Sequence, residues 1–188
     1  MKLALYGGTF DPIHHGHLIL AREALEKLGL DRVVFIPAAQ SPFKPTQISA
    51  SPEIRVTMVR AAIEGEDAFE LDDSEIRRGG TSYTIDTVEA ARERWAGAEL
   101  WWLIGEDHLV QLPAWHRYEE LMKLVRFAVF SRNGNGKFGH DFPRLTRQVD
   151  ISATEIRTRV ARGDSIRYLV PESVRALIDK HSLYRLNS

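Results

Sequence analysis

The sequence contains no cysteine. This absence excludes a disulfide scaffold, thiolate metal sites and a cysteine nucleophile. The chain must then be stabilised by an ordinary hydrophobic core, for which it is long enough. The absence is also compatible with a reducing compartment, and we expect a cytoplasmic protein.

Long apolar runs are missing as well. The apolar start of the chain is stopped by Gly7-Gly8 after the length of one strand, which is too short for the core of a signal peptide. No stretch approaches the roughly 18 apolar residues of a transmembrane helix. We therefore expect a soluble protein without a targeting segment or a membrane partner.

Charge of one sign is not in excess, since 25 Lys and Arg residues face 26 Asp and Glu residues. This balance disfavours a protein that coats nucleic acid, and no nucleic-acid partner is expected. From Arg126 to Ser188, however, 12 basic residues stand against 6 acidic ones. We interpret this local surplus as positive charge available to small polyanions.

Short apolar runs alternate with helical patterns along 188 residues, of which 44% are hydrophobic. Because the runs are apolar throughout, they favour a parallel sheet covered on both faces, an α/β Rossmann-like doubly wound fold. We expect one domain over 1–188, with a helical C-terminal part over 150–188. The predicted strands are 3–6, 32–36, 69–71, 100–104, 126–130 and 149–151. Two predicted helices begin at residues 16 and 52, and four more cover 84–95, 118–124, 153–162 and 172–181.

The loop after the first predicted strand carries three histidines in four positions, His14, His15 and His17. In a helical frame His14 and His17 lie about 60° apart on one face, whereas His15 points away. The start of a helix favours an anion, so this arrangement suits phosphate chemistry. A capping or buried histidine and a zinc site remain alternatives. The loop matches neither a Walker loop nor the dinucleotide GxGxxG pattern.

The stretch from Gly8 to Pro12, followed by His14-x-Gly16-His17, resembles the signature of the HIGH-type nucleotidyltransferase superfamily. In that superfamily the histidine element binds the phosphates of ATP. The resemblance implies ATP-binding roles for Gly8, Thr9, Phe10, His14, Gly16 and His17.

A second motif opens the helix at 153–162. Ser152 and Glu155 have the spacing of a capping box, and Arg157 lies within reach of an anion at the helix start. Helix capping alone is the structural alternative. The segment resembles the ISxTxxR motif of the same superfamily, which implies that Ile151, Ser152, Thr154 and Arg157 bind the triphosphate.

The segments between these motifs resemble the bacterial nicotinate-mononucleotide adenylyltransferases. Ser82-Tyr83-Thr84 is similar to the segment that holds the pyridine carboxylate in that family. Gly105 and Asp107 are similar to its IGxD stretch, where the aspartate contacts a ribose, and Trp115 to the tryptophan that stacks on the pyridine. From the residues alone, Ser82, Thr84 and Asp107 could equally be helix caps, and Trp115 a core residue.

Two further positions follow from the same resemblance. Lys44 matches a basic residue near the mononucleotide phosphate, although Phe43 stands where the family commonly has histidine. A solvated loop lysine is the alternative. Arg132 matches the segment that borders the ATP site.

The resemblance implies transfer of the adenylyl group of ATP to nicotinate mononucleotide, in NAD biosynthesis. His14, His17 and Arg157 would be the catalytic residues, and Mg²⁺ would accompany ATP with few protein ligands. The alternatives are an adenylyl- or cytidylyltransferase for another small substrate such as phosphopantetheine, an enzyme that prefers nicotinamide mononucleotide, and a nucleotide sensor without turnover. The sequence leaves the oligomeric state open, a homo-oligomer included.

Overall fold

Six strands form one sheet in the computed structural model, which describes residues 1–40, 50–131 and 141–185. All five strand pairings are parallel, and the order across the sheet is β3-β2-β1-β4-β5-β6. The strands are β1 Lys2–Gly8, β2 Arg32–Pro37, β3 Phe69–Leu71, β4 Glu99–Gly105, β5 Arg126–Ser131 and β6 Arg144–Thr146. The predicted α/β fold with a doubly wound parallel sheet is confirmed.

Helices cover both faces of the sheet in the described residues. The α-helices are α1 His15–Lys27, α2 Pro52–Ile63, α3 Ser74–Arg78, α4 Thr84–Arg94, α5 Tyr118–Leu124, α6 Ala153–Arg162 and α7 Glu172–Lys180. A 3-10 helix covers Glu106–Ala114. None of these helices has the length and apolar character needed to cross a membrane.

Each face of the sheet has its own core because neighbouring residues of a strand point to opposite faces. Ala4 and Tyr6 of β1 pack with residues of α1, α2, α6 and α7. Leu3 and Leu5 pack with residues of α4, α5 and the 3-10 helix. A strand buried on both faces has to be apolar at every position, which explains the continuous apolar runs of the sequence.

The strand order places a topological switch point between β1 and β4. From β1 the chain continues toward β2 and β3 on one side, and from β4 toward β5 and β6 on the other. In open α/β sheets, ligands bind at such a point, beyond the carboxyl ends of the strands. Gly8 and Gly105 end these two strands.

One predicted strand is wrong and two short helices were not predicted. Residues 149–151 are not a strand, because the sixth strand is Arg144–Thr146, which pairs with the end of β5. Only Leu145 of that strand is fully buried, so the apolar pattern could not reveal it. Both α3 and the 3-10 helix are too short or too irregular to show a helical period.

Candidate active site

A cavity of about 720 Å³ opens at the switch point of the sheet. Loops after β1 and β4 line it, together with the starts of α1, α4 and α6. Sixteen residues predicted from sequence line this cavity: Gly8, Thr9, Phe10, His14, Gly16, His17, Ser82, Tyr83, Thr84, Gly105, Asp107, Trp115, Ile151, Ser152, Thr154 and Arg157. Lys44 and Arg132 lie outside the described residues.

The glycines on either side of the turn between β1 and α1 are closely packed against its rings. A Cβ atom at Gly8 would lie 2.9 Å from the Phe10 ring, and one at Gly16 would lie 2.9 Å from Nδ1 of His14. Contacts this short would force the rings to move. The glycines therefore let the rings of Phe10 and His14 fold back over the backbone.

The rings of His14 and His17 stack, with centroids 3.7 Å apart and an angle of 24° between their planes. His14 is the N-cap residue of α1, and its backbone N–H donates to Nδ1 of His17 at 3.2 Å. The edge of Phe10 contacts His17, with centroids 5.0 Å apart. The described cavity wall includes both rings and not His15, so the predicted convergence is confirmed.

Burial keeps both imidazoles neutral near pH 7 in the free protein. Burial, with a smaller contribution from the neighbouring His15, lowers the pKa of His14 to about 4. Burial also lowers the pKa of His17 well below its usual value, with a smaller contribution from His14. Since Nδ1 of His17 accepts a hydrogen bond, its neutral ring carries the proton on Nε2.

Arg157 connects the second motif to the first. Its Nη1 donates to the main-chain carbonyl of Asp11 at 2.8 Å, and its Nη2 donates to Oγ1 of Thr154 at 3.3 Å. Ser152 caps α6, because its Oγ accepts the N–H of Glu155 at 3.1 Å. The carboxylate of Glu155 pairs with Arg159 at 2.9 Å, which differs from the reciprocal arrangement expected of a capping box.

Buried polar groups form hydrogen bonds that hold the turn after β1 in place. Oδ1 of Asp11 accepts the Tyr184 hydroxyl at 2.7 Å and the Ala50 amide at 3.2 Å. Arg55 of α2 is fully buried and donates to the carbonyls of Thr9 and Ala38, both at 2.8 Å. These bonds satisfy groups that would be costly to bury unpaired, and they fix the backbone of the turn.

At the other end of the cavity, α4 begins without a side-chain cap from its N-cap residue, Tyr83. The Oγ atom of Ser82 instead accepts the N–H of Ala39 at 2.9 Å. The interpretation of Ser82 and Thr84 as plain caps of α4 is therefore wrong. The ring of Tyr83 lies beside that of His116, with centroids 4.6 Å apart, and both rings line the cavity.

The structure confirms the core alternative for Trp115 in part and contradicts the cap alternative for Asp107. Trp115 is half-buried, packs edge-on against Phe127 with centroids 6.4 Å apart, and lines the cavity. It thus serves the core and the cavity wall together. Asp107 is exposed inside the 3-10 helix, whose N-cap is Gly105, so Asp107 is not a helix cap.

Carboxylates on the cavity wall do not form a dedicated metal cage. Within residues 1–40, 50–131 and 141–185, no group of three or more His, Asp or Glu side chains is placed to hold a metal ion. Glu106 accepts a hydrogen bond from Ser131 at 2.7 Å, and Asp107 beside it is exposed to the cavity.

Sequence reasoning missed several residues of this site. Glu75, His116 and Arg147 line the cavity, and Arg55 supports it from the core. For Arg55 the sequence offered one signal, since this arginine stands next to the apolar face of the second predicted helix. The other three lie outside the motifs, and only the fold brings them to the cavity.

Comparison with known proteins finds one matching family and relatives that share a name. Residues 5–159 match the family described as "Cytidylyltransferase-like". A protein of Opitutus terrae named "Probable nicotinate-nucleotide adenylyltransferase" is 45% identical and covers 98% of both chains. A protein of Gemmatimonas aurantiaca with the same name is also 45% identical, over 98% of this chain and 93% of its own.

The fold is also similar to solved structures. The nicotinic acid mononucleotide adenylyltransferase of Plasmodium falciparum, complexed with NaAD, matches with a TM-score of 0.79 at 18% identity, over 99% of this chain and 98% of that chain. At this identity the likeness concerns the fold alone. The family match and the full-length relatives carry the assignment: the chain belongs to the cytidylyltransferase-like family, among the relatives named nicotinate-nucleotide adenylyltransferases.

Proposed function

We propose that the protein transfers the adenylyl group of ATP to nicotinate mononucleotide, giving nicotinate adenine dinucleotide and pyrophosphate. One observation carries the proposal: the two phosphate motifs and the segments resembling an acceptor site line the same cavity. Its volume lies in the range of sites for small molecules, about 300–1,000 Å³. The names of the full-length relatives support the same reaction.

The ATP end of the cavity comprises His14, His17, Ser152, Thr154 and Arg157. The start of α6 lies beside the start of α1 through the bond from Arg157 to Asp11, which brings two helix N-termini to one place. Helix N-termini favour anions through their amides and dipoles. A triphosphate therefore fits this end better than a neutral or cationic ligand.

The acceptor end comprises Ser82, Tyr83, Thr84 and Trp115, and we include Lys44 on its resemblance alone. The start of α4 favours an anion such as the pyridine carboxylate. Trp115 presents an aromatic surface on which a planar ring can stack. Phosphopantetheine has no ring for that surface, which disfavours it as the acceptor.

The chemistry needs no general base. The attacking group is a phosphate oxygen of the mononucleotide, whose second pKa is about 6, so it is already ionised near pH 7. It forms a bond to the α-phosphorus of ATP while the bond to the pyrophosphate oxygen breaks. The protein accelerates this displacement by aligning two polyanions and by stabilising the charge that develops.

Each catalytic residue then has a defined task. His17 donates from Nε2, because its Nδ1 is occupied by the backbone of His14. His14 stacks on His17 and fixes its orientation, and the approach of phosphate raises the proton affinity of both rings. Arg157 neutralises charge on the triphosphate while Asp11 and Thr154 hold its guanidinium in place.

Mg²⁺ is our proposed companion of ATP. It retains several waters and takes phosphate oxygens as ligands, so one or two protein carboxylates suffice. Asp107, exposed on the cavity wall, fits this donor chemistry. When bound, the cation would neutralise charge on the phosphates.

The C-terminal helices are, in this proposal, part of a single nucleotidyltransferase domain. Ile156, Val174 and Ile178 are buried in the same cluster as Ala4 of β1. The helix α6, which opens with the second motif, and the helix α7 thus share a core with the strand that leads into the first motif.

Release of pyrophosphate tests the proposal. The protein would be mixed with ATP and Mg²⁺ and offered nicotinate mononucleotide, nicotinamide mononucleotide or 4′-phosphopantetheine in parallel. We expect rapid release with the first acceptor and slower release with the second. ATP binding without release with any acceptor would instead identify a nucleotide sensor, and fastest release with phosphopantetheine would identify another transferase.

A further inference from the structure

Glu75 is a buried carboxyl group in the wall of the cavity that the proposed reaction does not use. It lies on the short helix α3 and its exposure is only 4%. It lines the cavity together with Ser82, Tyr83 and Thr84. A carboxyl group buried beside the proposed subsite for an anionic ring needs a reason, since its own charge is costly there.

The hydroxyl groups of Thr87 and Ser82, in the neighbouring segment, indicate why a carboxyl group is buried there. Oγ1 of Thr87 donates to Oε1 of Glu75. The hydroxyl oxygen of Ser82 accepts the N–H of Ala39 at 2.9 Å. Burial raises the pKa of Glu75, whereas the hydroxyls of Ser82 and Thr87 and the charge of Arg78 act to lower it.

These contacts fix the segment at both ends. Ser82 precedes α4, and Thr87 lies one turn inside it. Glu75 holds the end of the first turn of α4 through Thr87, while Ser82 before the helix is bonded to Ala39. The backbone of Ser82 adds a further tie, since its N–H donates to the carbonyl of Gln40 at 2.9 Å.

The first turn of α4 is where the charge of the acceptor matters. The side chain of Tyr83 makes no capping hydrogen bond, and Ser82 is turned toward Ala39 and Glu75. The amides at the start of α4 thus receive no cap from these two side chains. A carboxylate on the pyridine ring can accept from such amides, whereas the neutral amide of nicotinamide gains less from them.

We propose that Glu75, which lies with Ser82 in the cavity wall, is a positioning residue of the acceptor subsite: by holding Thr87 it fixes the start of α4 toward the ring carboxylate, and so sets the preference for nicotinate over nicotinamide mononucleotide. This inference rests on the proposed function. Glu75 acts through the segment that it holds and makes no contact with the reacting phosphates.

The test compares the two acceptors in variants of this network. Glu75→Gln keeps the size of the side chain. It replaces one accepting carboxylate oxygen by an amide N–H donor, which cannot accept the hydrogen bond that a hydroxyl now donates. We expect kcat/KM for nicotinate mononucleotide to fall roughly tenfold or more, mainly through KM. The kcat/KM for nicotinamide mononucleotide and the KM for ATP should each change less than about twofold.

Conservative variants separate positioning from simple damage to the fold. Thr87→Val removes the hydroxyl and should shift the acceptor ratio in the same direction, whereas Thr87→Ser keeps it and should restore the ratio. Glu70→Gln is the matched control, because Glu70 is a partly buried carboxylate that pairs with Arg32 and Arg94 away from the cavity. If Glu75→Gln does not fold, the Thr87 pair gives the same answer.

The outcomes distinguish this inference from the proposed function. Equal losses for both acceptors, or an unchanged ratio in Glu75→Gln and Thr87→Val, would overturn the positioning role while the transferase activity stands. A wild-type protein that releases pyrophosphate with neither nucleotide would overturn the proposed function and this inference with it.

Discussion

The guanidinium of Arg157 donates a hydrogen bond of 2.8 Å to the main-chain carbonyl of Asp11, across 146 positions of sequence. The two motifs therefore form one unit at the end of the cavity that we propose to bind ATP. A second donor of the same side chain bonds to Thr154, so the guanidinium is held from two sides. Its charge is fixed in place before any ligand binds, which lowers the cost of ordering it.

Loss of this guanidinium should weaken ATP binding. We expect Arg157→Ala to raise the KM for ATP roughly tenfold to a hundredfold, because bonds to charged groups are worth about 1.5–3 kcal/mol. Arg159→Ala is the control, since Arg159 lies on the same helix and pairs with Glu155. Steady-state kinetics with ATP varied would measure both, and similar effects in the two variants would contradict the assignment.

Replacement of His17 should affect turnover more than binding. His17→Ala removes the Nε2 donor, and we expect kcat to fall about a hundredfold or more while ATP still binds. Single-turnover rates and ATP titration would separate the two quantities. His15→Ala is the control, because His15 is half-buried on the same helix and its bond to Leu169 uses the backbone. Near-normal turnover in His17→Ala would refute the role.

Trp115 should act on the acceptor alone. We expect Trp115→Ala to raise the KM for nicotinate mononucleotide roughly tenfold and to spare ATP, and Trp115→Phe to recover part of the loss. Trp95→Ala controls for packing, since Trp95 packs against the same core but lies under Arg94, at the end of α4. A larger effect on ATP than on the acceptor would exclude stacking of the pyridine.

Acid should destabilise the free protein through His14. Its folded pKa of about 4 lies below the unfolded value of 6.5, so the unfolded chain takes up the proton first as pH falls. Stability that is present above pH 6.5 is then lost between about pH 6.5 and 4, by about 3 kcal/mol. Urea unfolding between these pH values would measure the loss, which His14→Asn should reduce. An equal slope in wild type and variant would rule out this contribution.

The sequence was sufficient to predict the central strands and the motifs beside them. Residues such as Leu3, Leu5 and Phe127 are buried in the sheet, so their apolar character reports the fold directly. Glu75 and Arg55 could not be predicted in the same way. Arg55 bonds to main-chain carbonyls of another segment, and Glu75 to a hydroxyl on a different helix, and a single sequence does not reveal which groups the fold brings together.

The strand at the edge of the sheet illustrates the same limit. Val149 and Ile151 have the apolar character of a strand, yet they belong to the connection that leads into α6. The side chain of Val149 approaches Gly16, and Ile151 lines the cavity. Apolar residues that cover a binding site and apolar residues in an edge strand give the same pattern, and only the pairing with β5 distinguishes them.

The bond from Tyr184 to Asp11 has a consequence for the biosynthesis of the protein. The two residues are 173 positions apart, and Asp11 leaves the ribosome long before Tyr184 is added. β1 and its turn can pair and pack early, but the carboxylate of Asp11 gains this partner only after residue 184 has been translated. A chain interrupted before that point would therefore lack this contact.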